Sequence, residues 1–272
     1  MSPKIEQHRM PSTNASAEVD VRVLAAGPAD EPLPLVLLLH GAMSSAQSLD
    51  LHAPLIHQLW VTGALPPCVV ACASTPTEGG FYLDWPEGSR WGSVVGDELP
   101  DFVSRLRPID RSRLAVVGAS MGGFGALKLA FGNPDRYVAA AALAPAVFPG
   151  STTSDVPERN RQAVLGELLA ALDLLPGERV HERLLANLDA IRQRGMALFL
   201  GVGERDEFGL RDGSEHLHAQ LLAADVSHQY LVVAGGGHMD AGMAELQRAG
   251  LTFVGQALLQ PAAESDVAGG AP

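Results

Sequence analysis

The chain has 272 residues, of which 47% are hydrophobic, so it is long enough for one α/β domain with a single large core. Its formal net charge of −12 argues against nucleic acid and anionic membranes as partners. No apolar stretch approaches the roughly 20 residues of a membrane span, and the polar N-terminus lacks the apolar core of a signal peptide. We therefore expect a cytoplasmic protein.

Short apolar runs alternate with helical patterns along most of the chain. The strand candidates are residues 19–24, 35–39, 68–73, 114–117, 138–143, 197–202 and 229–233. The helix candidates between them are residues 51–60, 94–106, 123–131, 215–223 and 241–259. This alternation predicts an α/β fold with a mostly parallel central sheet and helices on both faces.

The domain boundaries follow from composition. Residues 1–17 are polar and are expected to form a flexible segment, residues 18–260 form the domain, and residues 261–272, rich in Ala, Gly and Pro, are expected to be a disordered tail. Residues 150–195 interrupt the alternation with two amphipathic patterns, at 158–172 and 178–194, and are too long for a simple connection. We interpret this segment either as a small helical cap or as a crossover helix with a long approach loop.

The motif Gly118-Ala119-Ser120-Met121-Gly122 follows an apolar run and precedes a helical pattern. A strand, a sharp turn and a helix would lift the Ser120 hydroxyl out of the backbone at the carboxyl edge of the sheet. Glycine on both sides avoids collisions within so tight a bend. An ordinary glycine-rich turn with an N-cap serine is the alternative interpretation.

A serine hydroxyl needs a base within hydrogen-bond reach and an acid that orients this base. In sheets of this type the chain order is serine, acid, histidine. Asp206, on the loop after the strand candidate 197–202, is the favoured acid. The competing carboxylates are Glu204, Glu207 and Asp212.

His238 is the favoured base, because it follows the last strand candidate and three consecutive glycines that let a loop histidine swing over the sheet edge. The other histidines have weaker contexts; His40, for example, ends the strand candidate 35–39 beside Gly41. No cluster with metal-ligand spacing stands out, so we predict neither a metal site nor a cofactor.

An oxyanion formed at Ser120 would need two preorganised backbone donors. The N–H of Met121, directly after the serine, is the first candidate. The second is the N–H of Ala42, with that of Met43 as the alternative. Met43, Trp85 and Phe148 fall in loops expected near the same edge and are candidate substrate-binding residues, although core or loop packing would explain them equally well.

Together these residues resemble the α/β-hydrolase superfamily. Within it, the segment 81–85, the Glu-Leu-Pro at 98–100 and the run 118–126 resemble the Putative esterase family, which includes S-formylglutathione hydrolases, feruloyl-type esterases and mycolyltransferase antigens. The resemblance implies Ser120 as nucleophile, Asp206 as acid and His238 as base, with Ala42 and Met121 in the oxyanion hole.

The resemblance also implies the activity, which is hydrolysis of small-molecule carboxylic esters. Small Ala, Gly and Ser residues at 40–48 favour a modest acyl pocket, so we expect short to medium acyl chains. The same three side chains would serve a thioesterase or an acyltransferase, because the pocket selects the acceptor. A non-catalytic binding protein of this fold is a further alternative, although such a protein would usually lack one of the three.

Overall fold

The computed structural model describes residues 4–78, 80–150, 153–161 and 163–260. Its strands are β1 (Glu6–Ser12), β2 (Ala17–Ala25), β3 (Leu33–Leu39), β4 (Val69–Ala73), β5 (Ile109–Ala119), β6 (Ala139–Leu143), β7 (Ala197–Gly203) and β8 (Gln229–Val233). They form one sheet in the order β1-β2-β4-β3-β5-β6-β7-β8. The pairings from β4 to β8 are parallel, and only those of β2 with β1 and β4 are antiparallel. The predicted fold class is confirmed.

Helices cover both faces of this sheet. They are α1 (Ser48–Thr62), α2 (Trp91–Ser93), a π-helix (Val94–Glu98), α3 (Leu99–Leu106), α4 (Met121–Gly132), α5 (Ala163–Leu174), α6 (Val180–Ala186), α7 (Leu188–Arg194), α8 (Leu210–Ala223) and α9 (Ala241–Leu259). Helices α1 and α9 pack on one face, whereas α3, α4 and α8 belong to the core on the other. Strands β3, β4 and β6 are buried along their whole length, as expected for strands covered on both sides.

The N-terminal segment differs from its prediction. Residues 6–12, expected to be flexible, form the edge strand β1, which pairs antiparallel with β2. Its polar sequence reflects the edge position, since only Met10 and Ser12 are buried. The Glu98 carboxylate fixes the following turn by accepting hydrogen bonds from Ser12 Oγ and from the backbone N–H groups of Thr13 and Asn14. The tail predicted at 261–272 lies outside the described residues.

The segment between β6 and β7 holds short 3-10 turns and helices α5, α6 and α7. The helical pattern predicted at 178–194 is divided at Asn187, whose φ of −118° and ψ of 18° separate α6 from α7. Helix α6 packs against α4. Whether this insertion acts as a cap stays a prediction.

A buried ionic cluster joins this insertion to α4. The Lys128 ammonium, 1% exposed, contacts the Glu178 carboxylate and lies 3.7 Å from Asp84 Oδ2. Lys128 also donates to the carbonyl of Tyr82. Burial lowers the pKa of Lys128, while the neighbouring carboxylates act to raise it. The cluster therefore connects α4, the insertion and the segment that precedes α2.

Within the described ranges, no helix is both long enough and apolar enough to cross a membrane.

Candidate active site

Ser120 stands at a sharp turn between β5 and α4. Its φ of 58° and ψ of −117° are unusual for a residue with a side chain, and a conformation of this kind costs about 1–3 kcal/mol. Three hydrogen bonds hold it. Ser120 N donates to Leu143 O at 2.9 Å, and Phe124 N and Ala146 N each donate to Ser120 O at 3.0 Å. The surrounding fold thus maintains the strained turn.

The two glycines of the motif are required by close backbone contacts. A Cβ atom on Gly118 would lie 2.3 Å from Gly122 O, and one on Gly122 would lie 2.1 Å from Leu39 O. Side chains at these positions would push β5, α4 and the end of β3 apart. The motif is therefore a structural requirement of the turn that presents Ser120.

Asp206 and His238 form a direct pair. The Asp206 carboxylate, whose side chain is fully buried, accepts a hydrogen bond from His238 Nδ1 through Oδ2 at 2.7 Å. Its other oxygen accepts the N–H groups of Phe208 at 3.0 Å and Leu210 at 3.2 Å, at the start of α8. Since a carboxylate only accepts, His238 Nδ1 carries a proton and Nε2 is the ring nitrogen left for other chemistry.

The competing carboxylates each have a different partner. Glu204 Oε2 accepts the N–H of Gly235 at 2.6 Å, and Glu207 Oε2 accepts the backbone N–H of His238. Asp212 pairs with Arg159. The two glutamates therefore support the histidine loop through its backbone, and Asp206 alone among these four contacts the His238 imidazole.

The three candidate catalytic residues lie at one edge of the sheet, because each follows the carboxyl end of a parallel strand. Ser120 follows β5, Asp206 follows β7 and His238 follows β8. In the described part of the chain, no hydrogen bond joins Ser120 Oγ to the His238 ring. Contacts of this kind are often long without substrate and shorten in the reacting complex.

The loop that follows β3, residues 40–43, lies against the serine. A Cβ atom on Gly41 would stand 3.8 Å from Ser120 Cβ. Met43 N–H donates to Thr77 Oγ1 at 2.8 Å, so it is engaged elsewhere. Ala42 N–H has no acceptor among the described residues, and Met121 is the first residue of α4, where backbone N–H groups lack helical partners.

The predicted substrate-binding residues have different environments. The Met43 side chain is 85% exposed. Phe148 is buried and lines a cavity together with Phe124 and Ala146, the two residues that hold Ser120 O. Trp85 is partly buried and packs against the core on the face that carries α4. Their roles in binding stay predictions.

Two side chains near the site were not assigned to it from the sequence. The Phe208 ring meets the His238 ring edge-on at 4.8 Å and is 42% exposed. Met239, next to His238, is 79% exposed. Proximity in sequence to Asp206 and His238 could have indicated both. Tyr82, in a loop expected near the same edge, donates its hydroxyl to His40 O at 2.9 Å.

Acidic, histidine and cysteine side chains do not cluster as metal ligands in the described ranges, where no group of three or more could hold an ion.

The parallel sheet, the strained serine turn and the Asp–His pair at its carboxyl edge define an α/β-hydrolase. Residues 12–244 match the model of the family described as Putative esterase. The chain therefore belongs to this family, and the prediction of the family is confirmed.

Individual relatives match over shorter parts. S-formylglutathione hydrolase of Bos taurus is 42% identical over 27% of this chain and 28% of its own length. The enzyme of the same name from Paracoccus denitrificans is 38% identical over 34% of each chain. The MPT51 antigen of Mycobacterium leprae is 30% identical over 54% of this chain and 47% of its own. The aligned parts thus span less than half of these relatives.

Solved structures match nearly the whole fold. A ferulic acid esterase superposes with a TM-score of 0.78 at 18% identity, covering 94% of this chain and 99% of that chain. An S-formylglutathione hydrolase from Agrobacterium tumefaciens gives 0.75 at 20% identity, with coverage of 94% and 96%. At these identities the likeness concerns the fold.

Proposed function

We propose that this protein is a serine hydrolase that cleaves small-molecule carboxylic esters through Ser120, His238 and Asp206. The observation that carries the proposal is the Asp206–His238 hydrogen bond at 2.7 Å, at the same edge of the sheet as the strained turn at Ser120. A carboxylate that fixes an imidazole, together with a serine hydroxyl, is the arrangement that activates serine for acyl transfer.

In the proposed reaction, Ser120 Oγ attacks the ester carbonyl while His238 Nε2 takes the hydroxyl proton. Asp206 keeps the imidazole in the tautomer with Nδ1 protonated and stabilises the imidazolium that forms. The C–O bond to the alcohol then breaks, and the alcohol leaves with the proton from His238. A water molecule, activated by the same nitrogen, attacks the acyl-enzyme and releases the acid.

The negative charge that develops on the carbonyl oxygen needs donors fixed in advance. We assign them to the N–H groups of Ala42 and Met121. Three observations support this assignment: Ala42 N–H has no acceptor among the described residues, Gly41 lies against Ser120, and Met121 begins α4. Met43 is the weaker alternative because its N–H already has an acceptor.

We place the acyl chain in the cavity beside the serine turn. Its apolar lining includes Phe124, Ala146, Phe148, Leu169, Leu172 and Val180. Charged or polar side chains, Asp173, Arg179 and His181, also line it. A mixed lining of this kind favours short to medium acyl chains over long ones, because a long chain would have to displace water from charged and polar side chains.

The first test compares wild type with Ser120→Ala on p-nitrophenyl acetate. Turnover should fall by at least ~10⁴-fold, with an unchanged melting temperature, and stoichiometric labelling by a fluorophosphonate should disappear. Undiminished turnover in this variant would refute the proposed nucleophile.

The second test uses p-nitrophenyl esters from acetate to palmitate. We expect the highest kcat/KM between two and about eight acyl carbons, the scale of a small mixed cavity. Leu169→Phe, which narrows the cavity, should reduce turnover of the longer esters more than that of acetate. A maximum at palmitate would contradict the proposed chain length.

A thioesterase is the second candidate, favoured by the S-formylglutathione hydrolases among the relatives. The triad chemistry is the same, with a thiolate as the leaving group. Assays of S-formylglutathione and p-nitrophenyl acetate on one preparation would separate the two, since a much larger kcat/KM for the thioester would favour this candidate. A cytoplasmic location stays a prediction.

A further inference from the structure

A second buried histidine lies at the serine turn, outside the proposed triad. His40 is 2% exposed and follows β3 directly. Its Nδ1 lies 2.8 Å from Gly41 O, and its Nε2 lies 2.9 Å from Thr75 N. A carbonyl only accepts and an amide N–H only donates, so Nδ1 carries the proton and Nε2 is bare. Burial lowers the pKa of His40, which favours this neutral form.

The hydrogen bond from His40 fixes one particular peptide unit. Gly41 O and Ala42 N–H belong to the same peptide bond, and no cis bond occurs in the described chain. In a trans peptide the C=O and N–H point in opposite directions. Holding Gly41 O towards the His40 ring therefore presents Ala42 N–H on the opposite side, in a loop that lies against Ser120.

The same peptide unit would otherwise be able to rotate. Gly41 has no side chain, so glycine's wide φ/ψ freedom would allow the Gly41–Ala42 plane to flip. The flipped peptide would turn a carbonyl oxygen towards the place where Ala42 N–H is needed, and a carbonyl would repel a negative charge.

Neighbouring contacts hold the ends of this loop but not this peptide. Tyr82 Oη donates to His40 O at 2.9 Å, Met43 N donates to Thr77 Oγ1 at 2.8 Å, and Ala46 N donates to Ser74 Oγ at 2.9 Å. These bonds fix the path of the loop before and after Gly41. Among the described residues, only the His40 ring holds Gly41 O.

We propose that His40 is a positioning residue that locks the Gly41–Ala42 peptide so that Ala42 N–H faces the reacting carbonyl. The inference rests on the proposed function, because it assigns Ala42 to the oxyanion hole. His40 transfers no proton in this role. It acts in the neutral form, through Nδ1, and its effect appears when the oxyanion develops.

Two substitutions test the hydrogen bonds of the two His40 ring nitrogens separately. In His40→Asn, the side-chain amide nitrogen occupies the place of Nδ1 and can still donate to Gly41 O. In His40→Gln, the amide reaches the place of Nε2 and can still accept from Thr75 N, but Gly41 O loses its donor. Each variant keeps one buried hydrogen bond and loses the other, so their losses of stability should be similar.

We expect His40→Gln to lose about 10²- to 10³-fold in kcat, the effect of removing one oxyanion donor, with KM nearly unchanged. His40→Asn should stay within ~10-fold of wild type. A trifluoromethyl ketone forms an adduct with serine that carries the oxyanion. Across the two His40 variants, the affinity for this inhibitor should fall in parallel with kcat. The pH dependence of kcat/KM should stay that of wild type in His40→Asn, because His40 transfers no proton in the proposed role.

His52→Gln is the matched control. His52 is also largely buried, its pKa is also lowered by burial, and its Nδ1 also pairs with a backbone carbonyl, that of Ser48 at 2.7 Å. This control should lose stability but keep kcat. Equal losses of kcat in the two His40 variants would overturn the proposal. A loss of kcat proportional to the decrease in melting temperature in the two His40 variants and in His52→Gln would overturn it as well. Full activity in Ser120→Ala would instead refute the proposed function, so the two failures are distinguishable.

Discussion

Two buried histidines, His238 and His40, belong to opposite sides of the serine turn and differ in their partners. The His238 ring pairs with a buried carboxylate, that of Asp206. The His40 ring pairs with neutral groups, the carbonyl of Gly41 and the N–H of Thr75. Both rings are fixed in one tautomer, but only the first has a negative charge that would stabilise a second proton.

This difference would allow the same side chain to serve two purposes within the proposed site. An imidazole beside a carboxylate can accept a proton during a reaction, because the resulting cation has a partner. An imidazole between peptide groups is held neutral and instead orients the backbone. Burial alone does not distinguish the two, since both side chains are almost inaccessible to solvent.

The same substitution at both positions should have the larger effect at the charged pair. We expect His238→Gln to reduce kcat by at least ~10⁴-fold, because no base remains for Ser120, compared with the smaller loss expected for His40→Gln. Steady-state kinetics with p-nitrophenyl acetate measure both. Equal losses would show that the two rings are not divided between proton transfer and positioning.

Replacing the Asp206 carboxylate tests whether this group gives His238 a role different from that of His40. Asp206→Asn should reduce kcat by about 10²- to 10⁴-fold, because an amide can donate to Nδ1 and so favour the wrong tautomer. Glu207→Gln is the matched control, since its side-chain oxygen can still accept the backbone N–H of His238. We expect less than ~10-fold loss there. A larger loss in the glutamate variant would assign the acid to Glu207.

The neutral state of His40 predicts a dependence of stability on pH. Its folded-state pKa is lowered, so below about pH 6.5, the ordinary value for histidine, the unfolded chain binds a proton that the folded chain does not. Stability is therefore complete above that pH and falls as the pH decreases towards the folded-state pKa. The decrease in melting temperature from pH 7.5 to 5.0 should be smaller in His40→Asn than in wild type. An equal decrease would indicate that His40 protonates in the folded state.

The smallest effect is expected at Phe208, whose ring packs edge-on against His238. Phe208→Ala should raise KM for aryl esters by about 2- to 10-fold, the scale of one aromatic contact, with little change in kcat. Met239→Ala provides the comparison, because this exposed side chain neighbours His238 without a ring contact. A large loss of kcat in the phenylalanine variant would mean that the ring positions the base.

The sequence was sufficient to predict the parallel strands of the sheet, because buried parallel strands are continuous apolar runs, as in β3 and β4. It was misleading for β1, since an edge strand that buries only Met10 and Ser12 has the composition of a flexible segment. The helical pattern at 178–194 is continuous in the sequence, but the backbone at Asn187 divides it. That division depends on local dihedral angles, which periodicity does not encode.

For the site, the motif at Ser120 and the glycines before His238 were visible in the sequence. Selection of the acid needed three dimensions, because Glu204, Asp206 and Glu207 occur within four residues on one loop. Their hydrogen bonds separate them, with one carboxylate on the imidazole and two on backbone N–H groups. The role inferred for His40 depends in the same way on which atoms its two ring nitrogens meet.

The buried contact between Lys128 and Glu178 has a consequence for how substrates enter. A hinge-like swing of the segment between β6 and β7 would separate this pair and leave the buried ammonium without its nearer carboxylate, and breaking a buried ion pair costs about 3–5 kcal/mol. Such an opening would be rare during turnover. Access of esters to Ser120 would therefore not require this segment to swing away from α4.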